Sequence, residues 1–228
     1  MNLAVFDSDV AAQALLQQCA SSAHLQFLAG NSLETLKSML EQDTCIIVID
    51  QSVTHTDLVA LATSCCLQYR QHIVICTSDK LSIHQAVQLM SQGIYWVFEK
   101  PLKKQLIDQA LPGMVQTAGL IRQQLLEFRR LSSLFQTLTV REREVLDLIL
   151  EGVSNKDSAV KLEISVRTVE ARRAKVYHKC DADNIVDLIR KVERLELLRS
   201  QFSPKKAESH DSILHHHLRS RSAMGRIG

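Results

Sequence analysis

Asp7 and Asp9, Asp50, Thr77-Ser78 and Lys100-Pro101 each follow a short apolar run in the first half of the chain. In an open α/β sheet, ligands bind beyond the carboxyl ends of the strands, so polar residues at those ends are the ones to inspect. Clustered acids can hold Mg2+, and a lysine and a hydroxyl can bind phosphoryl oxygens. These residue types therefore suit phosphoryl transfer onto a carboxylate, with Asp50 as acceptor. The plain alternative is that the acids are solvated loop residues or helix caps. A second concentration of chemistry is the stretch Ser165-Val-Arg-Thr-Val-Glu-Ala-Arg-Arg-Ala-Lys-Val. Arg167, Arg172, Arg173, Lys175 and Lys179 can neutralise phosphates, and Glu170 can accept a hydrogen bond from a cytosine amino group in a major groove. An ordinary solvated charged face is the competing reading.

The elements that would position the first set alternate β-rich runs with amphipathic stretches, the pattern of a doubly wound parallel sheet covered on both faces. Five strands are expected at Leu3 to Phe6, Leu25 to Ala29, Cys45 to Asp50, His72 to Thr77 and Tyr95 to Glu99. Helical patterns lie at 10 to 19, 32 to 42, 57 to 68 and 81 to 92, and another follows Pro101. Asn31 and Glu34 are spaced as a capping box. The runs Cys45-Ile-Ile-Val-Ile and Ile73-Val-Ile-Cys76 are apolar without interruption, as parallel strands buried on both faces require.

From Leu102 the pattern turns helical, and 119–137 reads as a helical linker, with a break marked near Pro112. A second unit is expected over 138–198. Thr139 and Glu142 cap its first helix, and Ser154 with Asp157 and then Ser165 open two more. Two short helices joined by a tight turn, the second rich in Arg and Lys, have the form of a helix-turn-helix. Val169 and Val176, seven apart, can face the core. Residues 199–228, with three consecutive His at 215 to 217, read as a disordered tail rather than a metal site.

Of 228 residues, 46% are hydrophobic and 23% charged, which excludes collagen-like and mostly disordered chains. The apolar runs of about five residues are far short of the about 20 needed to span a bilayer. The first thirty residues contain no Lys or Arg, which argues against a secretory signal and makes the cytoplasm the expected location. Six cysteines form no CxxC pair and sit in apolar runs, as small core hydrophobes do. Residues 1–120 carry six Lys and Arg against ten acids, whereas 121–228 carry 21 against 15, so only the second half suits a polyanion.

The order Asp7 and Asp9, Asp50, Thr77 or Ser78, then Lys100-Pro101 resembles the receiver domain of bacterial two-component response regulators over about residues 1–118. The resemblance implies a phosphoryl group passed from a sensor histidine kinase to Asp50, Mg2+ held by Asp7, Asp9 and Asp50, and contacts from Thr77, Ser78 and Lys100. Thr77 matches the strand better and Ser78 the spacing to Lys100. The chain departs from the family at Ser8, where a second adjacent acid is usual, and at Val97, where an aromatic is usual. The family's Met-Pro-Gly turn is also missing after Asp50. Over about 134–198, the segments Leu138-Thr-Val-Arg-Glu-Arg-Glu-Val-Leu, Gly152-Val-Ser-Asn-Lys and Ser165-Val-Arg-Thr-Val-Glu closely resemble the LuxR-type DNA-binding domain of the FixJ branch. That implies Asn155 to Ala174 as the helix-turn-helix, Lys156 on a phosphate, and Thr168, Glu170, Ala171 and Ala174 facing DNA. Glu163 stands at a turn position usually given to Gly, Ser158 replaces an apolar residue, and Arg172 a common His. Ile185, Leu188, Ile189 and Val192 lie on one stripe, a dimer contact by this resemblance or simply core.

These resemblances imply a transcriptional regulator of the FixJ/NarL type rather than an enzyme. Its expected partners are double-stranded DNA, a second copy, a sensor histidine kinase and RNA polymerase. Its input is either phosphorylation at Asp50 or a phosphorylation-independent receiver-like domain. The competing reading is a partner or phosphoryl sink that works by protein contact without binding DNA.

Overall fold

The two uninterrupted apolar runs sit side by side at the centre of a parallel sheet, where both faces are covered and no polar residue can alternate in. In a computed structural model that describes residues 1–30, 35, 45–50, 66 and 70–202, the chain divides into two compact units, Met1–Leu126 and Glu127–Gly228. The first unit contains strands β1 (Asn2–Phe6), β2 (Gln26–Gly30), β3 (Cys45–Asp50), β4 (Ile73–Ser78) and β5 (Trp96–Glu99), in the order β2-β1-β3-β4-β5. Every neighbouring pair is parallel. Each strand falls within a residue or so of its expected place. The register opposes Ile49 to Cys76 and Asp50 to Thr77, and it brings the ends of β3 and β4 level.

Successive residues divide the sheet into two cores, because side chains on a strand alternate between faces. Leu3, Val5, Ile46, Val48, Ile73 and Ile75 face one side, where they meet Leu16 and Cys19 of helix α1 (Val10–Ser22). Ala4, Phe6, Ile47, Ile49, Val74 and Cys76 face the other, with Leu89 of helix α2 (Ile83–Ser91). Helix α2 is opened by a reciprocal capping box of Ser82 and Gln85. The helices expected at 32 to 42 and 57 to 68, with the Asn31/Glu34 box, fall outside the described residues, as does the tail from 203.

Helix α3 (Lys104–Gln136) runs without a break through Pro112 and across the boundary between the units. Proline in a helix interior costs about 3 kcal/mol. Here Ile107, Leu111, Met114 and Ala118, one buried stripe on either side of Pro112, hold both flanking turns against the sheet. The stretch 119–137 is helical, as its pattern implied, up to Gln136. Leu131 and Phe135 are buried in the second unit, so its C-terminal turns belong to that core.

The second unit continues with α4 (Val140–Leu150), α5 (Asn155–Lys161), α6 (Val166–Lys179) and α7 (Ile185–Phe202). The Thr139/Glu142 box forms in both directions, and Ser154 and Ser165 cap α5 and α6 as their spacing implied. Gly152, at φ +75°, closes α4 in the left-handed region that glycine enters at little cost. Glu163 adopts φ +54° in the turn between α5 and α6, so the turn forms despite its side chain. Val145, Leu146, Ile149, Val176, Leu188, Leu195 and Leu198 make the core. The final helix extends to Phe202, past the start of the expected tail at 199, because Leu198 is fully buried and Phe202 packs on Phe128 at a ring distance of 6.0 Å.

Ser158 of α5 is 1% exposed, and its Oγ has no hydrogen-bond partner. A buried hydroxyl left unsatisfied costs about 1–3 kcal/mol. Ser158→Ala is expected to stabilise the protein by about 1 kcal/mol, read as a higher urea midpoint at unchanged m-value. A lower midpoint would show that the hydroxyl is satisfied.

Candidate phosphoryl site and nucleic-acid interface

Strand β1 delivers Asp7, β3 ends in Asp50 and β4 in Thr77-Ser78, and Lys100 follows β5. Asp7, Asp50, Thr77 and Ser78 are all buried. The Lys100 ammonium lies between the two carboxylates, 2.8 Å from Asp7 Oδ1 and 2.9 Å from Asp50 Oδ2. Thr77 donates its hydroxyl to Asp50 Oδ2 at 2.8 Å. Ser78 Oγ accepts the Lys80 amide at 3.2 Å. The Lys100–Pro101 peptide is cis.

Burial pushes the Asp7 carboxyl above its ordinary range, against the opposing pull of its bonds from Lys100 and the Asp9 amide. Burial alone would lower the Lys100 ammonium, but its hydrogen bonds to Asp7 and Asp50 outweigh that and raise it.

Asp9 does not join a metal-binding trio. Its carboxylate caps α1, accepting the amides of Ala11 and Ala12, and its Oδ2 is 4.0 Å from Lys100. Among the described residues, no group of three or more His, Cys, Asp or Glu is placed to hold a metal ion. Mg2+ nonetheless binds through one or two carboxylates, with waters and phosphate oxygens completing its octahedron. Asp7 and Asp50 fit that minimum, and Asp7 Oδ2 is a buried carboxylate oxygen with no hydrogen-bond partner. Ser8, exposed beside them, adds no charge.

The second unit presents α5, a turn and α6. Val169 and Val176 are fully buried, which fixes the opposite face outward. Arg167, Glu170, Ala171, Ala174 and Lys175 are exposed there, as is Lys156 on the first turn of α5, and Arg172 is half-buried. The side chains of Lys156, Arg167, Glu170, Arg172 and Lys175 make no hydrogen bond or ion pair with a described residue. Thr168 shares a hydroxyl contact of 2.8 Å with Ser165 at the cap, and Arg173 reaches the Val153 carbonyl at 3.4 Å. His178, one helical turn beyond Ala174, extends the same exposed face. Sequence reading passed over it, although its spacing of seven from Ala171 carried the signal.

Two sets of residues need correction. Lys179 does not face outward with the other cations, because its ammonium donates to Glu142 Oε2 at 2.6 Å and to the Thr137 carbonyl at 3.0 Å. It fastens the end of α6 to the start of α4. Leu188 and Val192 cannot be dimer contacts, since they are 0% and 5% exposed in the core. Ile189 is half-buried, and Ile185 stays partly exposed, as do Val186 and Leu197.

Residues 136–192 match the family model of bacterial regulatory proteins of the luxR family. The second unit is a LuxR-type helix-turn-helix domain, on a chain whose relatives are response regulators. The tetrathionate response regulatory protein TtrR of Salmonella typhimurium is 32% identical over 115 residues, 50% of this chain and 53% of that one. The transcriptional regulatory protein FixJ of Rhizobium meliloti is 32% identical over 108 residues, 47% of this chain and 53% of its own. The chain thus spans about half the length of these two relatives. Nodulation protein W of Bradyrhizobium diazoefficiens is 28% identical over 193 residues, 84% of this chain and 85% of that protein. The solved response regulator StyR shares the fold, with a TM-score of 0.69 at 24% identity over 85% of this chain and 98% of its own. No helix among the described residues is long and apolar enough to cross a membrane.

The Glu142–Lys179 pair makes stability depend on pH. Lys179, and then the Thr139 amide, hold the Glu142 carboxyl down at about 2, against a usual 4.5. A carboxyl with a depressed folded pKa stabilises the fold above its unfolded pKa, and that stability is lost as pH falls through the folded value. Glu142→Gln should therefore cost about 1–3 kcal/mol at neutral pH. The difference in urea midpoint from the parent should shrink from about pH 5 downward and be small near pH 2. A difference that does not change with pH would rule out the ion pair as its source.

Proposed function

We propose that this protein is a DNA-binding transcriptional regulator of the response-regulator type, in which a receiver-like unit of unusual acid composition governs a LuxR-type domain. The observation that carries the reading is the α5–turn–α6 motif, whose outward face presents Arg167, Glu170, Ala171, Ala174 and Lys175 free of ion pairs with the described residues. Residues 1–118 serve as the input and 138–198 as the output. α6 enters the major groove with Glu170, Ala171 and Ala174 toward the bases. Thr168, at the N-terminal end of that face, and Lys156, Arg167, Arg172, Arg173 and Lys175 serve the sugar-phosphate backbone. A second copy is the expected partner, because a two-fold operator calls for a two-fold protein. RNA polymerase would read the bound complex. Glu163, which with Ser158 favoured a protein that works by contact alone, leaves the turn intact.

In the input unit, Asp50 is the acceptor for a phosphoryl group from a sensor histidine kinase, with Thr77 and Lys100 on its oxygens. Mg2+ at Asp7 and Asp50 would neutralise phosphoryl charge. Lys100 already carries one positive charge at that point, and the neutral Ser8 leaves the ion weakly held. Phosphorylation is accordingly slow, and control independent of it is the favoured input.

Binding of the full chain to genomic fragments that it enriches should weaken linearly in log K against log salt, with a slope of about −0.9 per neutralised phosphate. Lys156→Gln and Arg172→Gln should each make the slope shallower by about 1, whereas Lys179→Met should leave it unchanged while lowering stability. Binding that is insensitive to salt would defeat the DNA reading. For the input unit, intact mass is followed with a small-molecule phosphodonor and Mg2+. Ser8→Asp should gain one phosphoryl mass at least about tenfold faster than the parent, a barrier difference of about 1.4 kcal/mol, and Asp50→Asn should gain none. Equal rates in Ser8→Asp and the parent would remove Ser8 as the cause.

A further inference from the structure

We infer that Glu170 sets the base preference of the DNA-binding unit by reading a cytosine in the major groove, an inference that rests on the DNA-binding reading above. Glu170 is the one acid on the outward face of α6 otherwise built from Arg167, Ala171, Ala174, Lys175 and His178. A carboxylate pressed against a polyanion is repelled by the phosphates, so its presence there requires a compensating partner. No described residue supplies one. Arg167, three residues before it, makes no ion pair with it, and Arg173, three residues after it, turns its guanidinium to the Val153 carbonyl at 3.4 Å. The partner must come from the ligand.

The base edges of the major groove narrow the choice. Guanine offers the acceptors N7 and O6, and thymine the acceptor O4 and a methyl group, so neither can donate to a carboxylate. Adenine donates from N6, but its neighbouring N7 lone pair faces the second carboxylate oxygen. Cytosine donates from N4 with no acceptor beside it on that edge. Ala171 and Ala174 carry nothing beyond Cβ on the same face, so the backbone of α6 can approach closely enough for Glu170 to reach a base edge. Their methyl groups suit apolar contact with thymine methyls in the flanking pairs.

The test is selection from a random-sequence duplex library at one fixed salt concentration, using the full chain and its Glu170→Gln and Glu170→Ala variants. The parent should select a motif with cytosine at one position of each half-site, and replacing that cytosine should weaken binding about tenfold or more. Glutamine pairs with adenine N6 and N7, so Glu170→Gln should shift that position from cytosine to adenine and leave the rest of the motif in place. Glu170→Ala should lose the preference at that position alone. Glu170 is exposed, so urea midpoints of the variants should stay close to the parent's and separate a readout change from a folding defect. An identical motif from all three proteins overturns the inference while leaving the DNA reading intact. A parent chain that enriches no sequence overturns the DNA reading itself, and this inference with it.

Discussion

A single ammonium holds the carboxyl edge of the first unit together. Lys100, just past β5, sits within 3 Å of both Asp7 and Asp50, which come from β1 and β3. Two buried carboxylates at one sheet edge would repel, and removing either from water without a partner is costly. The lysine resolves both difficulties and thereby links β1, β3 and β5 at the place where a doubly wound sheet binds ligands. The acidic edge is therefore not an open cage awaiting a cation. An arriving cation or phosphoryl group must share Asp50 with a lysine and a threonine hydroxyl already bonded to it. Ser8 sharpens this competition, because a second acid beside Asp7 would leave surplus negative charge after Lys100 is counted.

Much of this arrangement was legible in the sequence. Uninterrupted apolar runs identify central parallel strands, because only strands covered on both faces can dispense with polar residues. Ser and Thr three residues ahead of an acid identify helix starts, because the unsatisfied amides of the first turn select those side chains. The errors have one physical origin, which is that a residue type fixes what a side chain can do but not what competes for it. Asp9 has the chemistry of a metal ligand, and the amides opening α1 claim it first. Leu188 and Val192 have the spacing of an interface stripe, yet a core needs the same stripe. Pro112 breaks an isolated helix, but not one whose buried residues on both sides of it are fixed against a sheet.

The same competition decides what the basic second half can offer a polyanion. Its excess of positive charge is a property of composition, and the fold divides it among different tasks. Lys179 is consumed by Glu142 and the Thr137 carbonyl, where it fastens the end of α6 to the start of α4. Arg173 is drawn to the Val153 carbonyl in the loop ahead of α5, which ties the two helices of the motif together. On the α5–turn–α6 motif, Lys156, Arg167, Arg172 and Lys175 remain free of partners among the described residues, so they can release counterions from phosphates without first breaking a bond within the protein. Phosphate contacts of this kind fix register and affinity but carry no sequence information. The side chains on the outward face that are not cations, the two alanines and Glu170 among them, can add discrimination of their own. A domain that kept a carboxylate among free arginines and lysines without pairing it internally has given up some non-specific attraction. On the DNA-binding reading proposed above, the return for that loss is selectivity, since the carboxylate is compensated only where a base presents a donor.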